Sequence, residues 1–397
     1  MTIHCRLISE FSASTHKIKS KNVQDEIESV IKHLVDGFEH RINQTTDKRS
    51  FDMNADDMMS RYSTDLIFSC FYKQYNLINY TSGEDYYSHL IESGLADFFN
   101  PVVEITATLP IIRPVVDFII LHFHPLGTGR KVVMDFIKKQ THLNLSARRE
   151  LSTAKKNAGA SFDPDNFALA DGTQFKRNMI DAFIDNFHDG KISKSEYLNS
   201  SFFLFLAGIK TSADALARLF YHLASNPETQ DKLRESIGKY GQESEYLGWC
   251  INESLRLDSP TPSGCPRRLE RDIEVEGGTV PKGTFVFTPS YTIHRLPEYW
   301  GTDANLYKPE RWANSDKFHP LQFIPFGSGR RGCPGREFAL FEMRKLLSEL
   351  ISRYKFERCD KTTDSVFFKA PYLVYTIYDN PTYVRVTKLQ AESSNVV

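Results

Sequence analysis

The segment FIPFGSGRRGCPGREFALFEM, residues 323–343, carries the residue types best suited to chemistry. Cys333 lies among Gly327, Gly329, Gly332 and Gly335, and glycines let a backbone approach a ligand closely and adopt positive φ. The loop runs directly into an amphipathic segment that reads as a helix. The N-terminus of a helix stabilises a thiolate through its dipole and its free N–H groups.

Two neighbours strengthen this interpretation. Arg331 lies two residues before Cys333, and Phe326 can shield one side of the sulfur. Such a loop can hold a thiolate against a metal cofactor and keep water away from it. The alternative is a glycine-rich turn with a structural cysteine.

The elements that must position this loop are mostly helical. Apolar residues recur at helical spacing in several segments. Helices are therefore predicted over 22–42, 53–72, 86–99, 175–187, about 195–224, a segment starting at Asn226, 246–257 and 335–354. In the segment from Asn226, the asparagine would cap the helix and Pro227 would occupy its first turn. Residues 151–174 show little periodicity and are predicted to form a surface loop.

The β part is small. The segment DIEVEGGTVPKGTFVFTPS alternates strand-forming residues with glycine turns, and two C-terminal segments, PYLVYTIYD and PTYVRVTK, also read as strands. The predicted fold class is mainly α with a small β part.

Composition narrows the function. The 397 residues are 41% hydrophobic and 25% charged, which is typical of a globular protein. A net charge of −1 gives no indication of nucleic-acid binding. The six cysteines include no C-x-x-C pair, which fits a reducing compartment better than a disulfide scaffold. No secretory signal and no uninterrupted spanning helix is predicted. The apolar segment 108–127 is interrupted by prolines and charges, so it reads either as buried or as dipping into a membrane interface.

The order Phe326, Gly329, Arg331, Cys333 and Gly335 fits the pattern F-x-x-G-x-R-x-C-x-G. This is the haem-ligand loop of the cytochrome P-450 family, which the chain resembles here. The segment 267–300 is most similar to the animal drug-metabolising family-3 group.

Two further segments resemble the family. Glu253 and Arg256 share a helix face in ESLR, a pair that by itself usually lies on a solvated surface. The segment KPERW, residues 308–312, looks like the family's meander motif. By that likeness, Arg311 would join Glu253 and Arg256 in a cluster that locks the core to the haem-side loop.

The resemblance implies a cytochrome P-450 fold with haem b. Cys333 would ligate the iron, with Phe326, Gly327 and Gly335 around the cofactor. Arg331 and Arg267 would pair with haem propionates through their planar guanidinium groups, with Arg268 as an alternative to Arg267. Segment 108–127 would match the membrane-dipping region, which favours the interface reading.

On the oxygen side, the family carries an [AG]-G-x-[DE]-T-[TS] motif in its long helix. Here Ala207, Gly208 and Thr211 share a helix face with Ala215. Their small size leaves room for a flat cofactor and a diatomic ligand, and the resemblance implies that Thr211 helps to deliver protons to dioxygen. An ordinary helix-packing stripe is the alternative.

Lys210 stands where the family keeps an acid. We expect it to face away from the iron and to pair with Asp214 at i+4, although lysine N-terminal to the acid is the poorer orientation.

The resemblance also predicts what the chain lacks. In the family, an anchor, the first strands, a roof loop and a W-x-x-x-R motif precede the position of Met1. Only HCRLISEFSAS resembles the end of that part. We therefore expect one cytochrome P-450 domain over 1–397 without its N-terminal part.

The expected function is a haem-thiolate monooxygenase acting on a small lipophilic substrate. Its electrons would come from NADPH-cytochrome P-450 reductase, with cytochrome b5 as a further candidate, at the cytoplasmic face of the endoplasmic reticulum. One alternative is a haem-thiolate isomerase or dehydratase of an oxygenated lipid that needs no reductase. The other is a truncated, inactive paralogue with or without haem.

Overall fold

The structure of the chain is a computed structural model. It describes residues 21–72, 78–81, 127–158, 168–170, 181–264, 266–363, 368–372, 375–378 and 381–390. The predicted helix at 86–99 and the apolar segment up to residue 126 lie outside these ranges.

The chain divides into two compact units. One comprises Met1–Gly37 and Ser60–Lys210, and the other Phe38–Met59 and Thr211–Val397. The boundaries fall within helices, which continue through them. The expectation of one family domain stays a prediction.

The described part of the first unit is mostly helical. It contains most of α1 (Lys21–Gln44) and α2 (Ala55–Tyr72), all of α3 (Gly127–Ala158) and α4 (Asp181–His188), and the first half of α5 (Lys194–Ser225). Its core includes edge-to-face ring contacts of Phe68 with Phe136 at 4.8 Å and with Phe205 at 5.5 Å between centroids. Each of these rings lies on a different helix, so their contacts pack α2, α3 and α5 together.

The second unit carries the remaining helices and all the described strands. The helices are α6 (Pro227–Tyr240), α7 (Glu245–Leu257), α8 (Ser290–Ile293), α9 (Pro297–Trp300) and α10 (Arg336–Arg353), with 3₁₀ turns at Gly241–Glu243, Pro309–Lys317 and Gly329–Arg331. The mainly α fold class with a small β part is confirmed.

The strands form small antiparallel sheets. They are β1 (Ser50–Asn54), β2 (Arg267–Arg268), β3 (Ile273–Val275), β4 (Gly278–Val280), β5 (Phe285–Val286), β6 (Tyr354–Glu357), β7 (Phe368–Tyr372), β8 (Tyr375–Tyr378) and β9 (Tyr383–Lys388). β9 is central between β1 and β6, while β2–β5, β3–β4 and β7–β8 are two-stranded. The strands predicted over DIEVEGGTVPKGTFVFTPS and PTYVRVTK are confirmed. The segment PYLVYTIYD is not one strand, because it holds the end of β7 and all of β8, which pair with each other.

A side chain extends the three-stranded sheet toward α6. Gln230 donates from Nε2 to the carbonyl of Phe356 at 2.7 Å and accepts from the Phe356 N–H at 2.9 Å. This buried amide satisfies the free edge of β6 as another strand would.

Three local predictions are wrong in part. Residues 151–158 extend α3 instead of starting a loop, because the leucine, alanine and lysine residues there are good helix formers even without an apolar stripe. Residues 53 and 54 belong to β1, so α2 begins at Ala55. Asn226 occupies the N-cap position, but its amide donates to the His222 carbonyl at 2.8 Å and does not cap α6.

No helix within the described ranges is long and apolar enough to cross a membrane.

Candidate functional site

The cysteine loop, residues 324–335, is closed by its own backbone. The Cys333 N–H donates to the Phe326 carbonyl at 2.8 Å, and the Gly327 N–H donates to the Ile324 carbonyl at 3.0 Å. Gly327 and Gly329 have φ of 70° and 69°. Residues with a side chain rarely adopt these positive angles. These two glycines are therefore required by the path of the chain.

Cys333 is exposed and lies two residues before Gly335, the N-cap of α10. A Cβ at Gly335 would lie 3.9 Å from the sulfur, which is ordinary contact distance. The N-terminus of α10 therefore lies beside the cysteine, an arrangement that in general stabilises a thiolate. The predicted order of loop, cysteine and helix is confirmed.

The arginines predicted beside the cofactor are both exposed. Arg331 ends the 3₁₀ turn Gly329–Arg331, and Arg267 begins β2, where it is paired in register with Val286 of β5. Phe326 is half-buried next to the turn. Their contacts with a cofactor stay predictions.

In the cluster around Glu253, which we call the Glu253 network, the side chains of Glu253 and Arg256 are fully buried and that of Arg311 is largely buried. Arg256 donates to both carboxylate oxygens, at 2.9 and 2.8 Å. Arg311 donates from Nε to Oε1 at 2.7 Å. The predicted Glu253–Arg256–Arg311 cluster is confirmed.

The sequence reasoning missed two other members of this network. The Trp312 indole donates to Glu253 Oε2 at 3.0 Å, and the Lys308 backbone N–H donates to Oε1 at 3.0 Å. Arg256 also donates from Nη1 to the carbonyls of His294 and Ala304, at 2.7 and 2.6 Å. Charged side chains are found in protein interiors when they are paired and fully hydrogen-bonded.

The small-residue face of α5 belongs in part to helix packing. A Cβ at Gly208 would lie 2.9 Å from Cδ1 of Ile67, so the missing side chain allows α2 and α5 to approach. Ala207, Lys210 and Thr211 are half-buried, and Asp214 is buried. The roles assigned to Ala207, Gly208 and Thr211, and the Lys210–Asp214 pair, stay predictions.

Glu342 is a buried acid that the sequence reasoning also missed. It lies on α10, is 0% exposed, and neither carboxyl oxygen accepts a hydrogen bond of ordinary geometry from the described residues. Burial raises its pKa to about 8, and the Ser212 hydroxyl acts in the opposite direction. The side chain is therefore protonated at neutral pH.

A sequence model of the cytochrome P-450 family matches residues 8–382. The chain belongs to this family. It is 32% identical over 281 residues to cytochrome P-450 3A30 of Fundulus heteroclitus, covering 67% of this chain and 52% of that protein. It is 30% identical over 314 residues to cytochrome P-450 3A40 of Oryzias latipes, covering 75% and 58%.

A mammalian relative, cytochrome P-450 3A11 of Mus musculus, is 27% identical over 329 residues, which cover 79% of this chain and 61% of that protein. The chain thus spans between about half and three fifths of the length of these relatives. The likeness to the family-3 group is confirmed.

The family cofactor is haem b, held through a cysteine thiolate. The donor set here fits it, because a haem brings its own four nitrogen ligands and needs one from the protein on this side. Cys333 is exposed at a helix N-terminus, whereas no group of three or more histidine, cysteine or carboxylate side chains within the described ranges could hold a bare metal ion.

Proposed function

We propose that the protein is a haem-thiolate monooxygenase that inserts one atom of dioxygen into a small lipophilic substrate, with electrons from an NADPH-linked reductase. One observation carries this proposal. Cys333 is exposed at the start of α10, in a loop whose backbone is fixed by its own hydrogen bonds.

The residues of the loop have separate tasks in this proposal. Cys333 supplies the thiolate, Phe326 covers one side of the sulfur, and Gly327 allows the tight turn before it. Arg331 and Arg267 hold the two carboxylates of the haem, since a guanidinium offers a planar pair of donors. When bound, the haem supplies the oxidising chemistry, which the electron-rich thiolate promotes.

On α5, Ala207 and Gly208 provide space beside the reacting centre, and Thr211 relays a proton. Lys210 pairs with the buried Asp214 and leaves proton delivery to Thr211 and water. Lys210→Glu restores the family's acid and is expected to raise product formed per electron consumed. An unchanged ratio would contradict this role for Lys210.

The charge of the surface around the loop supports the proposed partners. Arg330 and Arg336 are exposed and would attract an acidic face of NADPH-cytochrome P-450 reductase, or of cytochrome b5 as a further donor. Residues 108–127 would contact the membrane surface, at the cytoplasmic face of the endoplasmic reticulum.

A second candidate function is a haem-thiolate isomerase or dehydratase of an oxygenated lipid. The lysine in place of the acid before Thr211 favours it, since such a reaction needs no delivery of protons to dioxygen. Dependence of product formation on NADPH and reductase separates the two functions.

The cofactor test uses the purified chain supplied with haem. After reduction and addition of carbon monoxide, we expect the red-shifted Soret band of thiolate-ligated ferrous haem. Cys333→Ser should lose this band, whereas Cys359→Ser, at a half-buried cysteine near β6, should retain it. No haem binding by the parent chain would favour the inactive paralogue and overturn both enzyme functions.

A further inference from the structure

His294 connects the Glu253 network to the cysteine loop. It is 0% exposed and follows the short helix α8 as its C-cap. Its backbone carbonyl accepts from Arg256 Nη1 at 2.7 Å. Its imidazole Nε2 lies 2.9 Å from the Ile324 N–H, which donates to it. The residue therefore contacts the buried arginine with its backbone and the start of the cysteine loop with its side chain.

Ile324 carries the connection forward to the cysteine. Its carbonyl accepts from the Gly327 N–H at 3.0 Å, which forms the turn before the loop. Phe326, inside that turn, accepts from the Cys333 N–H at 2.8 Å. These hydrogen bonds, joined by the covalent chain of His294 and of the Ile324 turn, connect Arg256 to the backbone of Cys333.

The tautomer of His294 is fixed by this geometry. A ring nitrogen that accepts a hydrogen bond carries no proton, so the proton of the neutral imidazole is on Nδ1. Burial and the positive charge of Arg256 lower the pKa of His294 to about 4, which keeps the ring neutral near pH 7.

The Nδ1–H is buried and has no acceptor among the described residues. An apolar residue of similar size would fill this space without leaving a donor unsatisfied. Core packing alone therefore does not explain a histidine at this position. What an apolar residue lacks is a nitrogen such as Nε2 that accepts the hydrogen bond from the Ile324 N–H.

We propose that His294 is a positioning residue for the haem-ligand cysteine, which holds the Ile324 turn, and through it Cys333, in register with the Glu253 network. His294 is expected to hold the loop conformation whether or not haem is bound. Its effect on ligation of the iron by Cys333 rests on the proposed function.

The test compares His294→Gln, whose amide oxygen can accept near the place of Nε2, with His294→Leu, which fills the space without an acceptor. In the haem-free chain, amide hydrogen exchange within 323–333 should become at least about tenfold faster in the leucine variant, whereas exchange in α7 stays unchanged. The glutamine variant should exchange like the parent. Parental exchange in the leucine variant, or equal loosening of α7, would overturn the proposal.

Spectroscopy supplies the second readout. With haem and carbon monoxide, the leucine variant should lose at least half of the thiolate-type band at equal haem content, and the glutamine variant should retain it. If the parent itself shows no such band, the proposed function fails while the exchange experiment still decides the role of His294.

A measurement on the parent chain covers the case in which the leucine variant does not fold. Nitrogen NMR of labelled histidine, assigned with His294→Gln, should show His294 with its proton on Nδ1 at pH 7. A proton on Nε2 would exclude the bond to Ile324 and overturn the proposal.

Discussion

The Glu253 network and the cysteine loop satisfy their polar groups in opposite ways. In the network, each oxygen of Glu253 accepts at least two hydrogen bonds, and the side chains of Glu253 and Arg256 are fully buried. In the loop, backbone groups bond to one another while Cys333 and Arg331 are exposed. The buried charges of the network are satisfied by other groups of the protein. The loop instead leaves the side chains of Cys333 and Arg331 exposed.

The largest effect expected from this contrast is in cysteine reactivity. Cys250 lies on α7 next to the network, fully buried, and burial raises the pKa of its thiol well above the usual range. A thiol reagent should label Cys333 of the haem-free chain about a thousandfold or more faster than Cys250, because labelling of Cys250 needs local opening. Peptide mass spectrometry resolves the two sites.

Haem provides the control for this measurement. Added haem should suppress labelling at Cys333 and leave Cys250 unchanged. Equal labelling rates at the two cysteines in the haem-free chain would remove the basis of the comparison.

The next largest effect concerns the buried pair itself. Arg256→Leu leaves the carboxylate of Glu253 buried without its principal partner, and it should lower the free energy of unfolding by about 3–5 kcal/mol. The control is Lys239→Leu in the exposed i,i+4 pair with Glu235, which should have no measurable effect. Urea unfolding measures both variants. A loss of less than about 1 kcal/mol for Arg256→Leu would mean that the network does not stabilise the fold as expected.

A third prediction extends the contrast to Glu342, a buried acid that has no salt-bridge partner among the described residues. The raised pKa of Glu342 means that folded protein keeps a proton that the unfolded chain has released, so unfolding releases a proton between about pH 4.5 and 8. Stability contributed by the protonated form is complete below this window and is lost as pH rises through it.

Glu342→Gln should remove this pH dependence and stabilise the folded protein above pH 8 by a few kcal/mol, on the order given by the shift. Unfolding by urea from pH 5 to 9 measures the effect. Glu337→Gln, at an exposed position on the same helix, should leave the pH dependence unchanged. The same slope in Glu342→Gln and the parent would exclude the raised pKa.

These residues also show how far sequence reasoning reaches. Most of the longer helices and the cysteine loop were predictable, because apolar spacing and a dense motif specify them locally. The Glu253–Arg256–Arg311 cluster was expected only from the family resemblance, and the helix over residues 127–150 and strands β1 and β6 were missed. Glu342 was not predictable, since only tertiary packing decides whether a charged residue on an amphipathic helix is buried. His294 was missed for a related reason, because its partner Ile324 lies 30 residues away.

Helix ends were the least predictable local feature. Residues 151–158 lack an apolar stripe, yet their composition sustains an exposed turn of α3. Asn226 has the expected cap identity, but its side chain bonds backward to α5. In both cases, several local conformations compete within small energy differences.

The smallest predicted effect compares two helix N-cap positions, Ser244 before α7 and Asn226 before α6. Ser244 Oγ accepts from the Leu247 N–H at 3.0 Å at the start of α7, the helix that carries Glu253. Ser244→Ala should therefore cost about 1 kcal/mol. Asn226→Ala should cost less, because its side chain makes no cap bond. Thermal unfolding measures both.

Ser244→Ala also tests whether the position of α7 depends on its N-cap or on the hydrogen bonds of the Glu253 network. If the hydrogen bonds of Glu253 and Arg256 set the position of α7, Ser244→Ala should lower stability without changing hydrogen exchange in 323–333. Faster exchange there would mean that the cysteine loop depends on where α7 begins, and that network and loop are less separate than their contrast in burial implies.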